Sequence, residues 1–470
     1  MANVLRKAIW NWIEVFPAEF VTLCQEQKRL EGGAEILFDY CSSLAESNPK
    51  KKSVFWPLQT MLLILCPDIL FNASMSDVSN SMSKKVAFLD SLKQSLRRSK
   101  LAEVAAVCYV DICKASTYVA KSDSSALLQI VPDIENDLKA KLFDPNKPFM
   151  TESQIDQKLM TDCLTALFRL NQDTLESLIP ICLSENAPNA FKLVLVKSCY
   201  AIASEENRFP WNPSLSSVYS VLAVPLRQLL HQYINSKDKS NDSRKRRYKP
   251  DELNEKTEII LNIIKLYKSD PMLALAYYDP NQCPEEIRQV ICGIALCVND
   301  NAIRSIAADT LLELHNLEYI ERWGPEDKIM YSFWSISSQV MLAIARQILD
   351  YKEREESTKH LLDLLLQLFI RRNQFLKKHK EESTVGINAP ERFSCNVVLE
   401  IALLVLLCSP DPDICSMSLN CFGHFCQEAQ FTTELVPDEM DVQTAPPIVE
   451  NMEIYLELSA SPYVVLGKII

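Results

Sequence analysis

Residues 301–314 read Asn-Ala-Ile-Arg-Ser-Ile-Ala-Ala-Asp-Thr-Leu-Leu-Glu-Leu, and residues 412–425 repeat their shape. Each window opens on a polar turn, Asn301-Ala302-Ile303-Arg304 in one and Pro412-Asp413-Ile414-Cys415 in the other. A small residue, Ala307 or Ser418, stands four places after the isoleucine. Large apolar residues stand eight and eleven places after it, Leu311 and Leu314 or Phe422 and Phe425. Those offsets share one face of a helix with 3.6 residues per turn. The small residue admits a neighbouring helix and the large ones fill the shared core, so each window reads as the second helix of a stacked pair.

Similar stripes recur along the chain, in Val4–Trp12, Glu35–Leu44, Pro57–Leu65, Val86–Leu96, Leu101–Cys113, Leu159–Leu170, Ala190–Ile202, Thr257–Tyr267, Glu286–Val298, Ile336–Leu349 and His360–Phe375. No long stretch alternates with period two, so strands are expected to be rare or absent. Pro67, Pro132, Pro180, Pro271, Pro280 and Pro410 are read as punctuation between helices, where a missing N–H does least harm. Only 7 glycines occur in 470 residues against 24 prolines. Set against an average usage of about 7%, this leaves about a fifth of the ordinary supply for hairpins and phosphate-cradling loops. The expected fold is all-α, a HEAT/armadillo-like α-solenoid of stacked helix pairs, and Ile303-Arg304-Ser305-Ile306-Ala307 looks like the Val-Arg-x-x-Ala signature of HEAT repeats. At roughly 40 to 47 residues per pair there is room for about ten pairs.

Breaks in the pattern set the expected organisation. Residues 1–235 form the first part of the solenoid, 236–250 a basic polar linker loop, 251–376 the solenoid continued, 377–391 a loop, and 392–470 the C-terminal HEAT-like repeats. The linker holds the run Arg244-Lys245-Arg246-Arg247, a candidate contact or targeting patch for nuclear import or an anionic surface, with a solvated loop as the simpler reading.

Net charge is -12, which disfavours nonspecific attraction to nucleic acid for the chain as a whole. The 16 cysteines sit mostly in apolar helical patterns and read as reduced thiols behaving as small hydrophobes. Arg6, Lys7, Trp10, Asn11 and Glu14 interrupt any apolar leader near Met1. The longest apolar run, Val397–Cys408, contains Glu400 and is shorter than the roughly 20 residues of a bilayer span.

Chemistry-bearing motifs are sparse. Gly467-Lys468 lacks the earlier glycine of a nucleotide loop. Cys421 and His424 share a helix face in the one dense Cys/His cluster, but a structural zinc site needs about four ligands and no second pair lies near in sequence. His231, His315, His360, His379 and His424 adjoin no nucleophile motif; His315 follows a helix, where a cation is favoured by the backbone dipole. Trp10, Trp12, Trp56, Trp211, Trp323 and Trp334 read as core anchors. No catalytic, cofactor or metal residue is assigned.

A further set of strings carries a family resemblance. Ile9-Trp10-Asn11-Trp12-Ile13-Glu14 followed by Phe16-Pro17-Ala18-Glu19-Phe20 resembles the N-terminal helical solenoid of the neurofibromin family of Ras GTPase-activating proteins. Trp56-Pro57-Leu58-Gln59, Leu62-Leu63-Ile64-Leu65-Cys66-Pro67, Phe88-Leu89-Asp90-Ser91-Leu92 and Cys113-Lys114-Ala115-Ser116-Thr117-Tyr118 look similar to it in the same order. So do Leu142-Phe143-Asp144-Pro145 with Lys147-Pro148-Phe149, Phe333-Trp334 with Ile336-Ser337-Ser338-Gln339, and Arg372-Asn373-Gln374-Phe375-Leu376.

The resemblance implies a noncatalytic scaffold and dimerisation segment, cytoplasmic, with membrane-peripheral or nuclear placement through partners. It also implies a homodimer with a full-length neurofibromin-type chain. Family members act on Ras through a separate domain that supplies an arginine finger and is marked by Phe-Leu-Arg-Phe-Ile-Asn-Pro-Ala. That string does not occur here, so the resemblance implies a fragment that stops before the catalytic part and reaches Ras only through it. The alternative is a karyopherin-like transport adaptor, which shares acidic charge and helical repeats; binding to Ran in a nucleotide-dependent way distinguishes it.

Overall fold

The computed structural model describes residues 2–25, 33–66, 78–96, 101–118, 132–137, 139–140, 154–204, 214–242, 250–277, 283–349, 355–382 and 392–433. Among these residues there is no strand, and the fold is an all-α, HEAT/armadillo-like solenoid of stacked helix pairs. The chain divides into two compact units, Met1–Val221 and Leu222–Ile470.

The first unit contains α1 (Ala2–Val15), α2 (Pro17–Gln25), α3 (Gly33–Ser47), α4 (Lys52–Leu65), α5 (Val78–Ser95), α6 (Ala102–Ser116), α7 (Gln154–Leu170), α8 (Gln172–Leu183) and α9 (Asn189–Ser204). Helices α1, α4, α6, α7 and α9 contact one another in succession as one layer. Helices α3, α5, the stretch 132–137 and α8 pack against them as a second. Helix α6 occupies the middle of the first layer, and its sequence suits that place: Ala102, Ala105, Ala106, Cys108 and Ala115 are small enough for helices to approach from several sides. Across the second layer, Phe38 meets Phe88 edge to face at 5.6 Å between ring centroids, and Lys93 reaches Asp137 at 2.9 Å.

The second unit is more regular. It holds α10 (Tyr219–Asp242), α11 (Pro250–Ser269), the short α12 (Pro271–Ala274), α13 (Cys283–Cys297), α14 (Arg304–Leu314), the short α15 (Leu317–Ile320), α16 (Ile329–Leu349), α17 (Glu355–Glu382), α18 (Arg392–Leu407) and α19 (Pro412–Thr433). Helices α13, α16 and α18 stack in one layer, while α11, α14, α17 and α19 stack in the other. Helix α10 joins the first layer through Arg227, which lies 3.1 Å from Glu286 of α13. The pairs 13–14, 16–17 and 18–19 therefore follow the sequence order of a HEAT array. The two matching windows fall on α14 and α19, and Ala307, Leu311, Leu314, Ser418, Phe422 and Phe425 are all buried.

Turn chemistry fixes where the helices start. Asn171 caps α8 by accepting a hydrogen bond from the Asp173 amide at 3.1 Å. Asp270 accepts from the Leu273 amide at 3.3 Å, with Pro271 at the first helical position. Asp300 accepts from the Ala302 amide at 3.1 Å ahead of α14.

Two expectations are corrected. The segments 236–250 and 377–391 are not loops throughout: α10 continues to Asp242 and α17 to Glu382. Neither extension contains Gly or Pro, so its sequence holds no helix breaker. The border between the compact units falls at Val221/Leu222, within α10. Pro180 does not separate helices but lies inside α8. It and Glu176, whose carbonyl it leaves without an amide, are both exposed, so water takes that acceptor.

Gly293 and Gly423 both lie inside helices, α13 and α19, and make opposite demands. A Cβ on Gly293 would stand 3.0 Å from Cδ2 and 3.3 Å from Cγ of Leu230 on α10, whereas one on Gly423 meets nothing within 4 Å. Gly423→Ala is expected to stabilise the second unit by ~0.5–1 kcal/mol through helix propensity. Gly293→Ala is expected to show no gain and a net loss of about 1 kcal/mol, because the added methyl overpacks the contact. Urea unfolding of both variants checks the ordering; an equal gain from both would contradict the close approach of α10 to α13.

Candidate interaction surface and buried polar seam

Polar side chains enter the apolar seams at a few places, and each is met from another helix. In the first unit Asp111 of α6 is buried. It accepts from Arg6 Nε and Nη2, each at 2.5 Å, and from Trp10 Nε1 at 3.1 Å, all from α1. Burial raises the Asp111 pKa above the ordinary carboxylate value, and the Arg6 and Trp10 hydrogen bonds offset part of that rise. Lys114, one turn along α6, stands over the Trp10 ring at 4.6 Å and reaches Glu14 at 2.6 Å. Together these contacts fasten α1 across α6.

In the second unit Arg372 of α17 plays the corresponding part. Its guanidinium donates to both carboxylate oxygens of Glu428 on α19 and to Ser337 Oγ on α16 at 2.6 Å. The rings of Phe333 and Trp334 lie 5.4 Å and 5.2 Å from its central carbon. Both partners of the ion pair are buried, so each charge depends on the other. Between α13 and α16, Arg288 donates to Gln339 at 2.7 Å and Gln347 donates to the Ala295 carbonyl at 3.1 Å.

His315 requires a correction. It does follow α14, but it is not a cation at the helix end. The ring is buried, sits edge-on to Trp323 at 4.9 Å, and Nδ1–H donates to the Leu311 carbonyl at 2.6 Å. Burial lowers its pKa to about 3, helped by the nearby charges of Arg372 and Arg371. Desolvation therefore outweighs the helix dipole, and the imidazole is neutral at physiological pH.

The residues that carry the family resemblance lie largely in these seams. Trp10, Trp56, Gln59, Phe88, Cys113, Ser116, Thr117, Tyr118, Phe333, Trp334, Ser337, Arg372, Asn373 and Phe375 are buried. Trp323 is buried as well, and Trp12 is half-buried. Trp211, the strings at 142–145 and 147–149, Gly467-Lys468 and the basic run Arg244, Lys245, Arg246 and Arg247 lie outside the described residues.

Cys421 is buried and donates its thiol to the Leu362 carbonyl at 3.6 Å, while His424 is half-buried on the same helix. Among the described residues no group of three His, Cys, Asp or Glu side chains is arranged to hold a metal ion. Burial pushes the thiols of Cys108, Cys182 and Cys199 up to about 12, so they stay protonated and pack as small apolar groups. Among the described residues no helix is long and apolar enough to cross a membrane.

Among the described residues several helices carry exposed apolar side chains, Ile36, Leu37 and Tyr40 of α3 and Val4 and Leu5 of α1 among them. No family model matches the chain. Sequence reasoning missed both the Asp111 and the Arg372 contacts; the available signal was a charge placed within a buried apolar stripe, as in Tyr109-Val110-Asp111-Ile112.

The neutral His315 makes stability pH-dependent. Its ordinary value is 6.5 and its folded value about 3. Between these the unfolded chain binds a proton that the folded chain refuses, so stability falls as pH drops below 6.5. Urea denaturation at about pH 7.5 and about pH 5.5 is expected to show the native chain losing ~1 kcal/mol more than His315→Gln over that interval. Equal losses would mean that His315 is protonated in the folded state.

Proposed function

We propose that this chain is a noncatalytic helical segment of a neurofibromin-like negative regulator of Ras, serving as scaffold and dimerisation surface. The observation that carries the reading is the ordered series of strings from Ile9 to Leu376 that resembles that family's N-terminal solenoid. Trp10, Trp56, Trp334 and Arg372, which belong to those strings, are buried where helices meet, and such burial supports a reading of them as parts of a shared architecture.

In this reading Ras hydrolysis is accelerated by a separate domain of the parent protein, because stabilising the transferring phosphoryl group calls for an arginine presented in trans. The chain's partner is a full-length neurofibromin-type protein, and its setting is the cytoplasm. Two assays test this together. The purified 470-residue chain is expected to leave the intrinsic GTPase rate of Ras unchanged and to be retained by an immobilised full-length neurofibromin-type chain. Stimulated hydrolysis would overturn the noncatalytic assignment, and failure of retention would overturn the dimerisation role.

A further inference from the structure

Two thiols flank the turn between α18 and α19. Cys408 follows the last residue of α18, and Cys415 lies in the first turn of α19. Cys415 donates its thiol to the Leu407 carbonyl at 3.5 Å, one peptide bond away from Cys408. A carbonyl oxygen and the Cα that follows it are about 2.8 Å apart in a trans peptide, which puts Cys415 Sγ no more than about 6.3 Å from Cys408 Cα. That range overlaps the sulfur positions from which a disulfide closes by side-chain rotation.

The turn holds this juxtaposition in place. Ser409 Oγ accepts from the Asp411 amide at 3.2 Å, Asp411 Oδ1 from the Asp413 amide at 2.9 Å, and the Asp411 carbonyl from the Cys415 amide at 3.1 Å. Pro410 and Pro412 restrict the backbone further. Lys359 of α17 reaches Asp411 at 2.8 Å and Asp413 at 2.9 Å. Both cysteines are half-buried beside the exposed Pro410, Pro412 and Asp413, so a small reagent reaches them. Farther along α19, Cys421 is fully buried, and burial raises the thiol pKa of Cys426.

We propose that Cys408 and Cys415 are an oxidation site, a thiol pair that a low-molecular-weight disulfide such as glutathione disulfide converts into a disulfide joining the end of α18 to the start of α19. The thiolate of one cysteine attacks a sulfur of the reagent and one glutathione thiolate leaves. The second protein thiolate then attacks the protein sulfur of that mixed disulfide and expels the other glutathione. Two protein thiols lose two electrons, one glutathione disulfide becomes two glutathione thiols, and the two protein thiol protons pass to them. The bond exchanges a weak thiol hydrogen bond for a covalent tie, which makes this helix pair responsive to oxidant. The inference is independent of the Ras-regulator reading, since it rests on the α18–α19 turn alone.

Peptide mapping of the native 470-residue chain tests it. The chain is treated with glutathione disulfide, remaining thiols are blocked with N-ethylmaleimide, and Asp-N protease cuts ahead of Asp411 and Asp413, between the two cysteines. Mass spectrometry is expected to find the Cys408 and Cys415 peptides joined, and separated by dithiothreitol. Because the second step is intramolecular, the joined pair is expected to outnumber glutathione adducts at either cysteine by about tenfold. Cys408→Ser and Cys415→Ser are each expected to leave a stable glutathione adduct on the remaining cysteine and no joined pair. Circular dichroism melting checks that both variants are folded, and the mapping of the unaltered chain decides the matter where one is not. Absence of the joined pair, persistent adducts on both cysteines, or preferential linkage of either to another cysteine would each overturn the proposal.

Discussion

A charge buried between stacked helices must find its counter-charge on another helix, and in this fold that requirement ties the layers together. An isolated ion in such a place costs several kcal/mol, so the partner's position is as constrained as its own. Arg372 meets the condition from α17 by reaching α19 through Glu428 and α16 through Ser337. Asp111 meets it from α6 by drawing in Arg6 and Trp10 of α1. Apolar packing supplies most of the stabilisation of such arrays and sets how closely helices approach. A bidentate contact adds a directional constraint on where one helix sits along another.

Around these contacts the stack is shaped by side-chain size. Small residues admit neighbours, as Ala307 and Ser418 do at equivalent places in two repeats, and as Gly293 does against Leu230. Large rings close the remaining space: Phe333 packs against Phe375 at 4.5 Å and Trp323 stacks on Phe333 at 6.4 Å. The neutrality of His315 belongs to the same cluster. With Trp323 on one side and the charge of Arg372 nearby, a second cation there would have no counter-charge, so the ring stays uncharged and donates to a carbonyl.

How much of this was legible in the sequence depends on the distance over which each decision is made. Period and residue size act within one helix, so the apolar stripes, the two matching repeats and the anchoring role of Trp56 and Trp323 could be read directly. Pairings between distant helices could not. Arg6 and Asp111 are 105 residues apart, and Arg372 and Glu428 are 56 apart; which helices stack decides whether they meet. Composition also misled at helix ends, because charged runs after Asn235 and Leu376 look like loops yet extend helices when no Gly or Pro intervenes. The outward face of α3 was hidden for the opposite reason: Glu35–Leu44 shows a helical stripe, but its period alone does not reveal that Ile36 and Tyr40 stand outside the buried arc while Phe38 and Cys41 fill it.

Within each unit the named polar contacts act as registration points between stacked helices. The most direct measurement of that claim is a double-mutant cycle on Arg372→Met and Glu428→Met, followed by urea unfolding. Each single change should cost about 3–5 kcal/mol, and the double change should cost far less than their sum, because it leaves no unpaired buried charge. Small, additive losses would contradict the account, since they would mean that the two side chains do not register the helices against each other.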